Sequence, residues 1–239
     1  MDFCVELSKL NIGVKSIYPF VFDFCKEYST DNKPDFFVET TEQKIDDEIN
    51  MVDFNPSRGY AESVCIYREI AEALPTYNRC VFHGAVIEYA GKGFMFTAPS
   101  GTGKTTHIRL WKKFLGDEAR IVNGDKPILH IDNEKVTAYS TPYAGKEGYQ
   151  NHSSVDLSAI CLIKRGEQNR IERVNAGEYL TELIPQIYMP KTPSQTVKTL
   201  ELLDNLLKSV DVYVLYCDIS EEAFKTSFNA LTKGKINED

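Results

Sequence analysis

The sequence predicts an α/β fold: a mixed β-sheet flanked by helices, preceded by a small N-terminal α/β unit. Three observations lead there. Short apolar runs of strand length alternate with segments whose apolar residues recur at helical spacing. A glycine-rich loop, Ala98 to Thr105, lies between a predicted strand and a predicted helix. The chain has 239 residues, 42% hydrophobic and 26% charged, an ordinary globular composition with enough length for one large core and an appendage.

The elements follow in order. Asn11 to Tyr18 alternates loosely and reads as a strand, and Asp35 to Glu39 is a second short one. Glu42 to Met51 is charged and fits helix or loop. Asp53 to Gly59 holds Asn-Pro-Ser-Arg-Gly, a loop signal. Tyr60 to Leu74 carries Ala61, Val64, Cys65, Ile70, Ala71 and Leu74 on one helical face, and Pro75 stops it. A boundary near residues 75–79 divides the chain into 1–78, expected to recognise a substrate or partner, and 79–239, expected to bind nucleotide. The second part opens with strand-rich Cys80 to Ala90. A hairpin turn is expected at Gly91-Lys92-Gly93, then a strand over Phe94 to Ala98 and a helix from Lys104 to Leu115. Strands are predicted at Ile121-Val122, Ile128 to Ile131, Lys135 to Tyr139, Leu157 to Lys164, Arg170 to Val174 and Val212 to Cys217. Asp132-Asn133-Glu134 reads as a turn. Ala176 to Ile187 and Thr196 to Ser209 read as helices, and Ser220 caps a last one.

Composition excludes several function classes. Lys plus Arg number 27 and Asp plus Glu 35, a net charge of −8. No basic excess exists to neutralise nucleic-acid phosphates or to dock on an anionic membrane. The longest apolar run, Val212 to Cys217, is far short of the ~20 residues of a spanning helix. No basic segment followed by an apolar one marks a signal peptide. The six cysteines (Cys4, Cys25, Cys65, Cys80, Cys161, Cys217) form no C-x-x-C pair, so reduced, mostly buried thiols in a cytoplasmic protein are expected.

Residues 98 to 105 read Ala-Pro-Ser-Gly-Thr-Gly-Lys-Thr, against the phosphate-loop (Walker A) pattern G-x-x-x-x-G-K-[ST]. Ser100, Gly101, Thr102, Gly103, Lys104 and Thr105 match; Ala98 replaces the first glycine, which a negative φ tolerates. Such a loop aims successive backbone N–H groups at one point, and the following helix adds its positive end. Lys104 is expected on the outer phosphates, the Thr105 hydroxyl on Mg²⁺ and Thr106 near the inner phosphate. Arg109 reads as part of a polar helix face. A carboxylate on the Mg²⁺ side is also needed. Asp125 and Asp218 each follow an apolar strand, and the pattern alone leaves both open. A lone His83 at a strand position reads as structural. Lys146, Lys164, Arg165 and Arg173 fit either the site or ordinary strand and turn ends.

The order His83-Gly84-Ala85, Ala98 to Thr105, and Asn123-Gly124-Asp125-Lys126 resembles the catalytic domain of HPr kinase/phosphorylase, one of the phosphoenolpyruvate-carboxykinase-like P-loop kinases. It is most similar to bacterial relatives with T-A-P-S-G-T-G-K-[ST]-T-H and V-N-D-D-K-P, here Thr97 to His107 and Val122 to Pro127. The match covers residues 80–130, and more loosely reaches about 230; residues 1–75 do not share it. The resemblance implies a phosphoenolpyruvate-carboxykinase-like catalytic domain using ATP and Mg²⁺. It implies Asp125 as the Mg²⁺-side carboxylate and His83 as the histidine beside the phosphates. It also implies a homo-oligomer. Gly124 stands where that family has the acid thought to act as general base, and the family's later glycine-rich signature has no counterpart. The expected function is ATP-dependent transfer to a hydroxyl of an unidentified peptide, protein or small molecule. The alternatives are a nucleotide-binding sensor or pseudokinase that has lost transfer, and a plain ATPase or GTPase; no guanine-reading N-K-x-D motif is present.

Overall fold

In the computed structural model, residues 1–132 and 135–232 are described. The predicted turn residues Asn133 and Glu134 lie outside the described residues. The chain divides into two compact units, Met1–Tyr77 with Met189–Thr199, and Asn78–Tyr188 with Leu200–Asp239.

The first unit holds a three-stranded sheet in the order β1 (Asp2–Leu7), β2 (Leu10–Lys15), β3 (Phe36–Glu39). Strands β1 and β2 form a hairpin whose two turn residues, Ser8 and Lys9, both have positive φ (53° and 60°), the twist a two-residue hairpin requires. Strand β3 runs parallel to β2. Helices α1 (Pro19–Cys25), α2 (Glu42–Asn50) and α3 (Arg58–Ala73) belong to the same unit. The sequence reading assigned neither β1 nor α1. Residues 42–50 are helix rather than loop because the Thr41 hydroxyl caps the Lys44 N–H. Helix α3 begins two residues before the predicted Tyr60 because Ser57 caps the Tyr60 N–H. Glu62 is fully buried, and its carboxylate accepts the Ile17 and Tyr18 N–H groups at 2.5 and 2.8 Å. Those two bonds make burial of this acid tolerable.

Among the described residues the second unit carries a nine-stranded mixed sheet. Its strands are β4 (Arg79–Val81), β5 (Ala85–Tyr89), β6 (Lys92–Thr97), β7 (Ala119–Asn123), β8 (Ile128–Asp132), β9 (Lys135–Tyr139), β10 (Ser154–Arg165), β11 (Arg170–Arg173) and β12 (Asp211–Cys217). The spatial order is β4-β8-β9-β10-β6-β5-β7, with β12 also on β10 and β11 on β12. Strand β10 is long enough to do two jobs. Ser154 to Asp156 pairs antiparallel with β9, and Ala159 to Leu162 runs parallel between β6 and β12. The β5–β6 turn is Ala90-Gly91, both at positive φ, so β6 starts at Lys92 and the expected Gly91 to Gly93 turn is displaced.

The helices are α4 (Lys104–Leu115), α5 (Leu180–Leu183), α6 (Pro193–Ser209) and α7 (Glu221–Thr232), the last capped by Ser220 at the Ala223 N–H. The predicted helix over 176–187 does not form as one element. Only α5 is α-helical, between tighter turns at 176–179 and 184–186. Pro185 has no N–H to continue the ladder. All six cysteines are free and five are buried. No helix among the described residues is long and apolar enough to cross a membrane.

Helices α4 and α7 pack on the sheet through Phe94, Phe96, Trp111, Phe224 and Phe228. One hydroxyl ties this core together. Ser227 donates to the Phe224 carbonyl and accepts the Trp111 indole N–H at 2.9 Å. His107 Nε2 also lies 2.9 Å from it. The remaining Ser227 lone pair calls for a proton on Nε2, which leaves His107 Nδ1 bare, the buried side-chain atom of this ring without a partner. Burial pushes the His107 pKa down to about 4, so the ring is neutral at pH 7. Ser227→Ala is expected to cost ~2–3 kcal/mol by stranding the indole N–H and the imidazole. Urea unfolding of the variant beside wild type measures it; an unchanged midpoint would remove the hydroxyl from the core's support.

Candidate functional site

The parallel strands β6, β10 and β12 end side by side, and ligands in open α/β sheets bind beyond such carboxyl ends. Strand β6 stops at Thr97 and the chain turns through Ala98 to Gly103 into α4. Gly101 and Gly103 have φ of +77° and +127°, and a Cβ on either would meet nothing within 4 Å. Glycine is required there by backbone shape, not by crowding. Ala98 is not among the positive-φ residues, so its methyl costs nothing. Helix α4 opens with no side-chain cap, which leaves its first N–H groups to an outside acceptor.

Lys104 is buried, and its ammonium donates to the Ala98 carbonyl at 2.9 Å. Burial lowers its pKa; Asp125 opposes that and Lys126 adds to it. Ser100, Gly101 and Thr106 are exposed, while Thr102, Gly103 and Thr105 are half-buried.

Asp125 lies just beyond β7, which runs alongside β5. Asn123, with no exposed surface, builds its turn. The Asn123 side-chain oxygen accepts the N–H groups of Asp125 and Lys126, both at 2.9 Å. Its amide donates to the Thr141 carbonyl at 3.0 Å. Asp125 Oδ1 faces His83 Nε2 at 3.3 Å and Oδ2 accepts from Lys126 at 2.5 Å. His83 Nδ1 lies 2.9 Å from Gln186 Oε1. Both ring nitrogens thus face oxygen acceptors, and a neutral ring can donate to only one of them. Burial raises the Asp125 pKa, but the His83 hydrogen bond and the Lys126 charge outweigh it and hold the carboxyl at about 2.

The structure therefore brings Lys104, Asp125, His83 and the loop to one end of the sheet. Asp218 lines a cleft beside Gly101 to Gly103 but is not among the charges that act on Lys104. Its Oδ1 accepts from Asn169 at 3.1 Å and from the Ser220 hydroxyl at 2.5 Å, and the charges felt by Lys104 are those of Asp125 and Lys126. Arg165 reaches the loop, donating to the Gly101 carbonyl at 2.7 Å. Lys164 pairs with Glu182 at 3.2 Å and Arg173 with Asp211. Lys146 is exposed. Arg109 is more than a polar face: it holds Glu147 and the Tyr149 hydroxyl, tying α4 to the 143–150 loop.

That loop occupies the space beside Gly124. A Cβ on Gly124 would lie 2.7 Å from the Ala144 carbonyl and 3.2 Å from the Tyr149 Cβ, and the Gly124 N–H donates to the Tyr149 carbonyl. No acid fits at 124 while this loop keeps its course. Sequence reasoning missed Asn123 and Gln186. An Asn-Gly turn was a readable signal for the first; nothing local marks the second. Among the described residues no three His, Cys, Asp or Glu side chains converge as a metal site.

No family model matches the chain, and no curated protein matches it. Among solved structures it is similar to the HPr(Ser) kinase/phosphatase from Coxiella burnetii, at 11% identity and a TM-score of 0.35, over 64% of this chain and 97% of that one. At that score the likeness fixes no residue's role.

The Asp125 carboxyl sets a pH dependence. Its folded pKa of about 2 lies below its ordinary 3.8, so ionised Asp125 contributes stability above pH ~4 that is lost as pH falls toward 2. The contribution is about 2 kcal/mol. Asp125→Asn is expected to be less stable than wild type at pH 6, with the gap closing between pH 4 and 2. Denaturation across that range measures it, and a gap independent of pH would reject the ion-pair account.

Proposed function

We propose that this chain is a phosphotransferase that moves the terminal phosphoryl group of ATP to an acceptor hydroxyl. The observation that carries the reading is the meeting of a buried lysine, an uncapped helix start and an ionised carboxylate at one set of strand ends. Lys104 exchanges the Ala98 carbonyl for phosphate oxygens, and the amides of Gly101, Thr102 and Gly103 hold them in place. Ser100 and Thr106 flank that cradle. The Thr105 hydroxyl and Asp125 are the residues that would hold Mg²⁺, which needs few protein ligands when phosphates supply the rest. Bound Mg²⁺ would supply neutralisation of phosphate charge. A carboxyl held near 2 is a poor proton acceptor at neutral pH. Asp125 is therefore assigned to charge and His83 to the acceptor's proton. Positioning and charge stabilisation do most of the work in such transfer.

A second reading, a nucleotide-binding sensor without transfer, draws on the blocked position at Gly124. The ATPase or GTPase reading has no such observation behind it.

Thermal unfolding with and without ATP plus Mg²⁺ tests the phosphate site. At 100 times its dissociation constant ATP stabilises by about 2.7 kcal/mol, which should raise the midpoint by roughly 5–10 °C. Lys104→Ala should abolish the rise; a rise retained in that variant would move the ligand elsewhere. Labelled phosphate reaching any hydroxyl acceptor, and lost with Lys104→Ala, separates kinase from sensor.

A further inference from the structure

The N-terminal unit carries a cleft that the phosphate chemistry does not use. Its floor is the open face of the three-stranded sheet, where Cys4, Gly13 and Phe37 stand in one cross-strand row. The cleft has a volume of about 530 Å³, is mostly apolar and lies within residues 2–37. We propose that it docks an extended, basic segment of a protein or peptide partner. The inference stands on this unit alone; on the phosphotransferase reading it narrows the acceptor to a peptide or protein.

The shape comes from one glycine and one loop. Strand residues alternate faces, so Val5, Ile12, Val14 and Val38 turn into the core while Cys4, Gly13 and Phe37 turn out. A Cβ on Gly13 would lie 2.4 Å from the Phe37 ring, so the ring leans over the strand where the side chain is missing. Thr30 and Asn32 also line the cleft, from a loop pinned to the sheet. The Thr30 N–H donates to the Cys4 carbonyl at 3.0 Å, and the Asn32 amide to the Asn11 side-chain oxygen at 3.2 Å. Phe37 is 78% exposed. A large ring held in the open is the kind of side chain that anchors an interface. Burial, and then the Asp35 charge, raise the Cys4 pKa, so its thiol stays neutral and adds apolar surface to the floor.

Charge selects the occupant. Residues 1–77 hold 15 acidic and 7 basic side chains, which is the entire net charge of −8; residues 78–239 balance at 20 of each. Asp2 and Asp31 line the cleft, and Glu6 and Glu39 stand on the same sheet face. Lys15, the cation among the lining residues, lies 3.6 Å from Glu39 and is thereby matched. Such a field draws Lys and Arg side chains and repels acidic partners, nucleic acid and free phosphate. A segment with cations on either side of an apolar residue satisfies both features. Its apolar side chain packs on Phe37 and its cations meet Asp2 and Asp31; an arginine there also stacks on the ring.

Fluorescence anisotropy on the full chain, in physiological salt, tests the proposal with the labelled peptide Lys-Arg-Lys-Leu-Lys-Arg-Lys. Wild type is expected to bind it and to ignore Glu-Asp-Glu-Leu-Glu-Asp-Glu. The bound peptide is expected to shield Cys4, the one cysteine among the described residues that is not buried, from thiol labelling. Phe37→Ser leaves the charge unchanged and is expected to weaken binding about tenfold, the scale of an interface anchor. Asp2→Asn with Asp31→Asn is expected to weaken it about tenfold as well. Asp53→Asn with Glu27→Gln removes the same charge from exposed positions outside the cleft and is expected to stay within about twofold of wild type. Lys104→Ala is expected to bind the peptide as wild type does, so the docking surface and the phosphate cradle can fail separately. Equal losses in the two charge pairs, full binding by Phe37→Ser, or no binding by wild type would overturn the proposal. A wild-type dimer that Phe37→Ser dissociates would overturn it in favour of a second copy of this chain.

Discussion

The parallel pairing of β10 with β6 and β12 is the constraint on which the candidate site depends. Leu162 pairs with Thr97 on one side and Val214 on the other, so β6 gives way to the loop level with Leu162 while β10 and β12 run on together to Arg165 and Cys217. Thr97 is the last strand residue before the loop, Arg165 the last of β10, and Cys217 the last of β12. A slip of one residue in either ladder would turn every side chain on that strand to the opposite face. It would put Ile160, Leu162 and Val214 where Cys161, Ile163 and Leu215 now meet α4 and α7. The cost of that exchange in the core holds the register, and the register holds the loop against Arg165.

Polar groups inside the second unit divide between architecture and chemistry. His107 and Ser227 serve architecture, as their burial beneath the aromatic cluster shows. Asn123 serves the site at one remove: its side chain replaces backbone partners for Asp125 and Lys126, which fixes the turn before any ligand arrives. Lys104 and Asp125 hold opposite charge in partly desolvated surroundings, where electrostatic terms weigh more than in water. Lys126 on Asp125 and Ala98 on Lys104 hold both groups in hydrogen bonds that a ligand must exchange.

Much of this was legible in the sequence. The strand–loop–helix from Phe94 to Leu115, the strands from Ile121 to Tyr139, and buried β10 and β12 all carry local patterns strong enough to read. The elements that escaped had other causes. Strand β1 begins at the chain's start, and its hairpin turn is Ser8-Lys9, without the glycine or asparagine that marks such turns. Helix α1 is short and held by a remote carboxylate, Glu62. The 176–187 segment showed helical spacing, but a proline decided its course. Within the site, the loop residues could be picked out by motif, whereas Asp125 was separated from Asp218 only by the family resemblance. The roles of Arg165, Gln186 and the 143–150 loop depend on contacts between residues far apart in the chain, which spacing cannot display.

The backbone over Gly124 has a consequence for how this chain can change. With the Ala144 carbonyl 2.7 Å from where a Cβ would sit, no side chain enters position 124 alone. Residues 143–149 must be rerouted first, and that route is itself fixed by the Gly124–Tyr149 hydrogen bond and by Arg109 on Glu147. The two segments form one epistatic unit, in which each change is harmful without the other. A single-step path to an acid at this position is closed. A laboratory search that randomises 124 alone will sample only damaged loops, whereas a joint library over 124, 144 and 149 reaches backbones where an acid has room.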